Sequence, residues 1–90
     1  MAPLIDKIKS GGLIVDVRSA SEFEDGHYPN AINIPVDQVQ KRISDFGDKN
    51  KPVIVYCQSG ARSAYAAKIL RVAGYTDVTN AGGLDDMPGQ

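Results

Sequence analysis

The chain has one cysteine, and the residues around it suit nucleophilic chemistry. Cys57 follows a strand-like run at residues 53–56 and precedes a polar, glycine-containing segment, after which a helical pattern begins. A sulfur at the start of a helix faces unpaired backbone N–H groups and the positive end of the helix dipole. Both favour a thiolate, so we expect the pKa of Cys57 to lie below the roughly 8.5 of a free thiol.

The segment after Cys57 is predicted to form an anion-binding loop. Gly60 allows the backbone to curl tightly, and the amides of residues 58–63 can then converge on the sulfur. Cys57 is therefore the candidate catalytic residue. The candidate substrate-binding residues are Gln58, Ser59, Gly60, Ala61 and Arg62, and the candidate supporting residues are Arg18 and Ser63. A lone cysteine in a small protein is more often an inert core residue, but a packing cysteine needs neither this loop nor a helix start.

Three further side chains could act either at the site of Cys57 or in holding the fold together. Arg62 either guides an anion into the site or pairs with an acidic residue such as Asp16 or Glu22, and we favour the pairing narrowly. Arg18 follows a predicted strand, where arginines commonly form surface pairs that contribute little stability. His27 is the single histidine. A thiol that a helix start already activates needs no base, so we expect His27 to have a structural role.

Hydrophobic periodicity predicts strands and helices in alternation. The predicted elements are a helix at residues 4–8, a strand at 13–17, a helix beginning at 21–24, a strand at 31–34, a helix at 36–43, a strand at 53–56, a helix around 66–73, a weak strand at 77–79 and a turn at 81–83. This order indicates an α/β fold with a mainly parallel sheet. Ligands bind beyond the carboxyl ends of such strands, and Cys57 lies at one of them.

Composition narrows the class of protein. Ninety residues, 42% hydrophobic and 23% charged, are expected to form a single domain over residues 1–90. The net charge of -1 gives no electrostatic footprint for nucleic acid or an anionic membrane. One cysteine and one histidine make a metal site very improbable. Because no apolar run approaches the roughly 20 residues of a spanning helix, we expect a cytoplasmic protein, or a periplasmic one if a signal peptide was removed.

Four segments together resemble the rhodanese family of sulfurtransferases, in particular its single-domain members. The segments are Asp16-Val17-Arg18 with Glu22-Phe23, the run GHYPNAINIP at residues 26–35, YCQSGARS at residues 56–63, and Gly74-Tyr75 with Val78 and the run NAGG at residues 80–83. Each segment is a weak signal, whereas four in this order are a strong one. The resemblance implies a three-layer α/β fold, with a central mainly parallel sheet of four to five strands and helices on both faces.

The resemblance also implies a reaction. Cys57 would take a sulfane sulfur from thiosulfate, or another sulfane donor, as a persulfide and pass it to cyanide or to a thiol, including a protein thiol. No cofactor or metal is implied, because sulfur itself is the group carried. Neither nucleic acid nor a membrane is expected as a partner.

Two features of the sequence keep alternatives open. Four residues separate Cys57 from Arg62, whereas related phosphatases have five, so we disfavour a phosphatase. Gln58 and Ala61 stand where many family members carry basic residues, which weakens the expected attraction for dianionic thiosulfate. The runner-up is therefore a non-catalytic binding or sulfur-relay module.

Met87 stands where the family often has an aromatic residue, which predicts that the edge of the domain near Met87 is less well covered.

Overall fold

The computed structural model describes residues 3–90, so the first two residues of the predicted 1–90 domain lie outside the described part. The strands and α-helices, in chain order, are α1 (Leu4–Lys9), β1 (Leu13–Asp16), α2 (Ala20–Glu24), β2 (Ile32–Asn33), β3 (Val53–Cys57), α3 (Ala61–Val72) and β4 (Val78–Gly83). Three short 3-10 turns lie at Val36–Gln38, Ile43–Phe46 and Leu84–Asp86. Within residues 3–90, no helix is long and apolar enough to cross a lipid bilayer.

The four strands form one parallel sheet in the order β2-β1-β3-β4. Asp16 of β1 lies beside Tyr56 of β3, and Cys57 lies beside Gly83 of β4 after an irregularity in the register. The predicted α/β fold with a parallel sheet of four to five strands is therefore confirmed. All four strands run in the same direction, so the ends of β1, β3 and β4 meet at the edge where Cys57 lies.

The sheet has a core on each face, because successive side chains of a strand point to opposite sides. On one face Val15 and Val55 pack with Leu70 of α3. On the other face Ile14 and Ile54 pack with residues of α1 and α2. Burial on both sides explains why β1 and β3 have continuous apolar runs. Met87 is only 2% exposed and belongs to the second core, so the prediction of a poorly covered edge there is wrong.

The predicted helix at residues 36–43 is also wrong. The segment forms 3-10 turns at Val36–Gln38 and Ile43–Phe46 instead. The helix was predicted from three apolar residues spaced as on one helix face, Val36, Val39 and Ile43, of which Val39 alone is fully buried. All three are β-branched and favour helices weakly. The partial burial of the other two adds too little packing to stabilise a full helix.

The last strand is longer than predicted. β4 runs from Val78 to Gly83 and includes residues 81–83, which were predicted to form a turn. Gly82 has a positive φ of 91°. This local change of direction explains the turn-like sequence, and the chain still pairs with β3 beyond it, at Gly83.

Candidate active site

Cys57 is the last residue of β3 and its side chain is fully buried. Three residues later, Gly60 has φ of 102°, a left-handed conformation that a residue with a side chain rarely adopts. This turn returns the chain toward the sulfur and starts α3 at Ala61. The sharp reversal places the backbone N–H of Gly60 3.0 Å from Cys57 Sγ. The loop is therefore curled round the sulfur.

Two groups contact the sulfur at short range. The Gly60 N–H donates a hydrogen bond to Sγ, and the Ser63 hydroxyl oxygen lies 3.4 Å from it. Burial raises the pKa of the Cys57 thiol, but hydrogen bonds from the Ser63 side chain and the backbone of Ser63, Gly60 and Ser59 outweigh it, so the pKa is lowered overall. The pKa of Cys57 is thus shifted in the direction expected from the sequence. The loop therefore favours a negatively charged sulfur.

The lowered pKa predicts the pH dependence of alkylation. Because only the thiolate reacts, the rate of reaction with iodoacetamide is expected to rise with pH through a midpoint below roughly 8.5, the pKa of a free thiol. The absolute rate is a poor readout, since the buried sulfur must first become accessible. The midpoint is measured by mass spectrometry of the alkylated chain over a pH series. A midpoint at or above that of free cysteine would contradict this assignment.

Arg62 is held by an acidic side chain of α2. Its Nη1 and Nη2 donate to the two carboxylate oxygens of Glu22 at 2.7 and 3.0 Å. Glu22 is therefore the pairing partner, and Asp16, the other residue considered, is not. The hydrogen bonds from Arg62, followed by that from the backbone of Ser19, lower the pKa of Glu22 to about 2. The pair thus remains ionised at any pH at which the protein would be assayed.

The position of α2 follows from its first residues. Ser19 is the N-cap, and Glu22 completes a capping box by bonding back to the Ser19 backbone N–H at 3.1 Å. Because the same carboxylate bonds both Ser19 and Arg62, it ties the start of α2 to the start of α3.

Arg18 is not the surface residue that the sequence suggested. It is 5% exposed, and its Nη2 donates to the fully buried Asp16 Oδ2 at 2.7 Å and to the Gly26 carbonyl at 2.7 Å. Asp16 also accepts from the Tyr56 hydroxyl at 2.8 Å. Period-two alternation brings residues 16 and 18 to the same side of the chain, which makes this pairing local. The prediction of a weak surface pair for Arg18 is therefore wrong.

The β4 segment closes the loop from the other side. An added Cβ at Gly83 would overlap the Gln58 carbonyl, so only glycine permits this approach. Asn80 bonds Ser63 and Gly60, the two residues that contact the sulfur. Reasoning from residue chemistry missed both β4 residues, although they belong to the segment 80–83 that carried part of the resemblance. The side chains of Gln58, Ser59 and Ala61 are exposed, so these residues offer the loop mainly their backbone.

His27 has the structural role that was predicted. Its Nδ1 lies 2.9 Å from the Phe23 carbonyl oxygen, and its ring stacks on the Phe23 ring with centroids 3.7 Å apart. In the described part of the chain, no group of three or more His, Cys, Asp or Glu side chains is arranged to hold a metal ion.

Comparison with known proteins agrees with this fold. The family model of the Rhodanese-like domain matches residues 2–87, and the chain belongs to this family. It is 46% identical over 74 residues to the thiosulfate sulfurtransferase PspE of Escherichia coli K12, an alignment covering 81% of this chain and 71% of PspE. A structure described as a rhodanese with anions from E. coli superposes with a TM-score of 0.82 and 43% identity, over 87% of this chain and 93% of that one.

A further relative carries a different description. The putative sulfur carrier protein YrkF of Bacillus subtilis is 35% identical over 78 residues, which cover 86% of this chain and 42% of YrkF. This chain thus spans less than half of that relative. The comparisons support a rhodanese-type sulfurtransferase.

Proposed function

We propose that this protein transfers sulfur from thiosulfate to cyanide or a thiol through a persulfide on Cys57, and that residues 1–90 form one domain that does so. The observation that carries the proposal is the Gly60 N–H hydrogen bond to Sγ inside the curled loop. The relatives named as thiosulfate sulfurtransferases support the choice of donor.

In the first half-reaction, the Cys57 thiolate attacks the outer sulfur of thiosulfate. A new S–S bond forms on Sγ while the S–S bond of thiosulfate breaks, and sulfite leaves with the electron pair of that bond. The negative charge moves to the outer sulfur of the new persulfide. We expect the backbone N–H groups of residues 58–62 to stabilise this charge, and the Gly60 N–H, which already donates to Sγ, supports this. Such stabilisation would be preorganised and electrostatic.

In the second half-reaction, an acceptor removes the outer sulfur. Cyanide or a thiolate attacks it, the persulfide S–S bond breaks, and the bonding electrons return to Sγ as thiolate. The products are thiocyanate or a new persulfide. Since the thiol is fully buried, the residues around it must move before donor and acceptor can reach it.

The kinetic pattern tests this proposal. A double-displacement enzyme releases sulfite before cyanide binds, so double-reciprocal plots at several cyanide concentrations should give parallel lines. Intersecting lines would show that donor and acceptor are bound together and would contradict the persulfide pathway.

A sulfur-relay module is the second candidate. Full burial of Cys57 and the neutralisation of Arg62 by Glu22 favour it, because both slow the entry of a dianion. YrkF, named as a putative sulfur carrier, is a relative of this kind. A relay would form one persulfide per chain but would turn over slowly with cyanide. Many turnovers per chain would instead establish the enzyme.

The Arg62 pairing gives a specific prediction about thiosulfate. The Glu22→Gln substitution removes the charge that neutralises Arg62, so the loop entrance becomes more positive and the KM for thiosulfate should fall about twofold to fivefold at low salt. The measurement is KM at two ionic strengths. Asp45→Asn, which breaks the exposed Arg42–Asp45 pair, is the matched control and should leave KM unchanged. An unchanged KM in the Glu22 variant would show that Arg62 does not act on the donor.

A further inference from the structure

The Ser63 hydroxyl has one proton and several acceptors around it. The Asn80 Oδ1 atom lies 2.6 Å from Ser63 Oγ, the Gly60 carbonyl oxygen 3.1 Å and the Gly82 carbonyl oxygen 3.4 Å. Cys57 Sγ lies 3.4 Å from the same oxygen. The distance to Asn80 is the shortest of the four, so the proton points to Asn80 in this arrangement.

The Asn80 side chain is fixed with its oxygen toward Ser63. The backbone N–H of Gly82 donates to Oδ1 at 3.0 Å, and the Asn80 Nδ2 group donates to the Gly60 carbonyl at 3.3 Å. Turning the amide over would place two donors face to face at Gly82 and two acceptors face to face at Gly60. The hydrogen bonds therefore define which atom of the amide Ser63 meets.

The charge on Sγ decides which acceptor the Ser63 proton can serve. When Sγ is a thiol, its S–H can donate to Ser63 Oγ, and Ser63 donates to Asn80. When Sγ is a thiolate, the charged sulfur is the stronger acceptor and the hydroxyl must turn toward it, away from Asn80. When Sγ is the inner, uncharged sulfur of a persulfide, the proton is free to return to Asn80.

We propose that Asn80 is a positioning residue that competes with Cys57 Sγ for the Ser63 proton and thereby stabilises the two states in which Sγ is uncharged, the thiol and the persulfide. The role in the persulfide state rests on the proposed sulfur transfer, whereas the role in the thiol state does not. Among the described hydrogen bonds, Asn80 has none to Sγ: it bonds Ser63 and the backbone of Gly60 and Gly82, so it acts through its neighbours, and the proposal assigns the effect to Ser63.

Substitution of Asn80 leaves the other ionisable groups near the loop unchanged. They are Arg62 of α3 with its partner Glu22 of α2, the Asp16–Arg18 pair at the end of β1, and Asp86, whose carboxylate accepts from the Gly83 N–H at 2.8 Å. Residues 78–83 of β4 include no ionisable side chain. A shift caused by changing Asn80 therefore reports on Asn80 and Ser63.

The experiment measures the pH midpoint of Cys57 alkylation in variants of Asn80, with and without Ser63. Asn80 is exposed, so its variants are expected to fold. In Asn80→Ala the hydroxyl loses its competing acceptor, and the midpoint should fall by about half a pH unit. In Asn80→Asp the carboxylate can still accept from the Gly82 N–H, although it loses the donor to the Gly60 carbonyl. It competes more strongly for the Ser63 proton and adds negative charge, so the midpoint should rise by about half a unit or more.

The Ser63→Ala background separates competition from a general loop effect. If Asn80 acts through Ser63, Asn80→Ala should not shift the midpoint once the hydroxyl is absent. Asn50→Ala, the same change in an exposed loop, is the matched control and should not move it either. An equal shift in both backgrounds, or no downward shift with Ser63 present, would overturn the proposal.

Mass measurement of the same variants after thiosulfate treatment keeps the two proposals apart. If no variant gains sulfur but the alkylation pattern holds, sulfur transfer is wrong, and the role of Asn80 in the thiol state stands. If all variants gain sulfur but the midpoints do not move, the proposed function stands and the role of Asn80 is wrong.

Discussion

The Cys57→Ser substitution is expected to lower kcat/KM for thiocyanate formation from thiosulfate and cyanide by on the order of a thousandfold or more. A serine hydroxyl at this position is protonated at neutral pH, and it can form no persulfide. The surrounding hydrogen bonds cannot compensate, because they stabilise a charge that the hydroxyl does not carry. The measurement is the initial rate of thiocyanate production.

Serine is close in size to cysteine, so the fold is expected to survive this change. Urea unfolding of the variant serves as the control and should show a cooperative transition. Retention of a tenth or more of the normal rate in a folded variant would mean that another group carries the sulfur. The chain has no second cysteine to do so.

The Asp16→Asn variant is expected to lose about 3 kcal/mol in the free energy of unfolding. The Asp16 carboxylate is fully buried and accepts from Arg18 and from the Tyr56 hydroxyl. An amide fills nearly the same volume, so the loss comes from leaving the buried Arg18 cation without its anion. The measurement is urea unfolding at neutral pH.

An exposed pair provides the contrast for this prediction. Arg42 and Asp45 are 42% and 49% exposed along their side chains. Asp45→Asn should therefore change the free energy of unfolding by less than about 1 kcal/mol, as is usual for surface pairs. Similar losses in the Asp16 and Asp45 variants would show that the buried pair contributes no more than a surface one.

The positions of elements with continuous or strongly periodic apolar residues could be predicted from the sequence alone. β1, β3 and α3 lie where hydrophobic patterns predicted them, and these elements place Cys57 at the carboxyl end of β3. The loop geometry followed from Gly60 and the helix start. These are local signals, so no knowledge of distant contacts was needed.

Contacts that depend on strand register could not be predicted in this way. The Tyr56 hydroxyl reaches Asp16 because β1 and β3 pair side by side at these two residues. The Ser63–Asn80 bond likewise depends on the pairing of β4 with β3, which places Asn80 beside Val55. The spacing of Asp16 and Arg18 was visible, but their burial depends on segments that pack over them.

The most direct test of the account is the intact mass of the protein after incubation with millimolar thiosulfate. The expected result is a gain equal to one sulfur atom, which is lost again on adding cyanide and is never seen in Cys57→Ser. A chain that keeps its original mass would contradict the claim that Cys57 accepts sulfur from this donor.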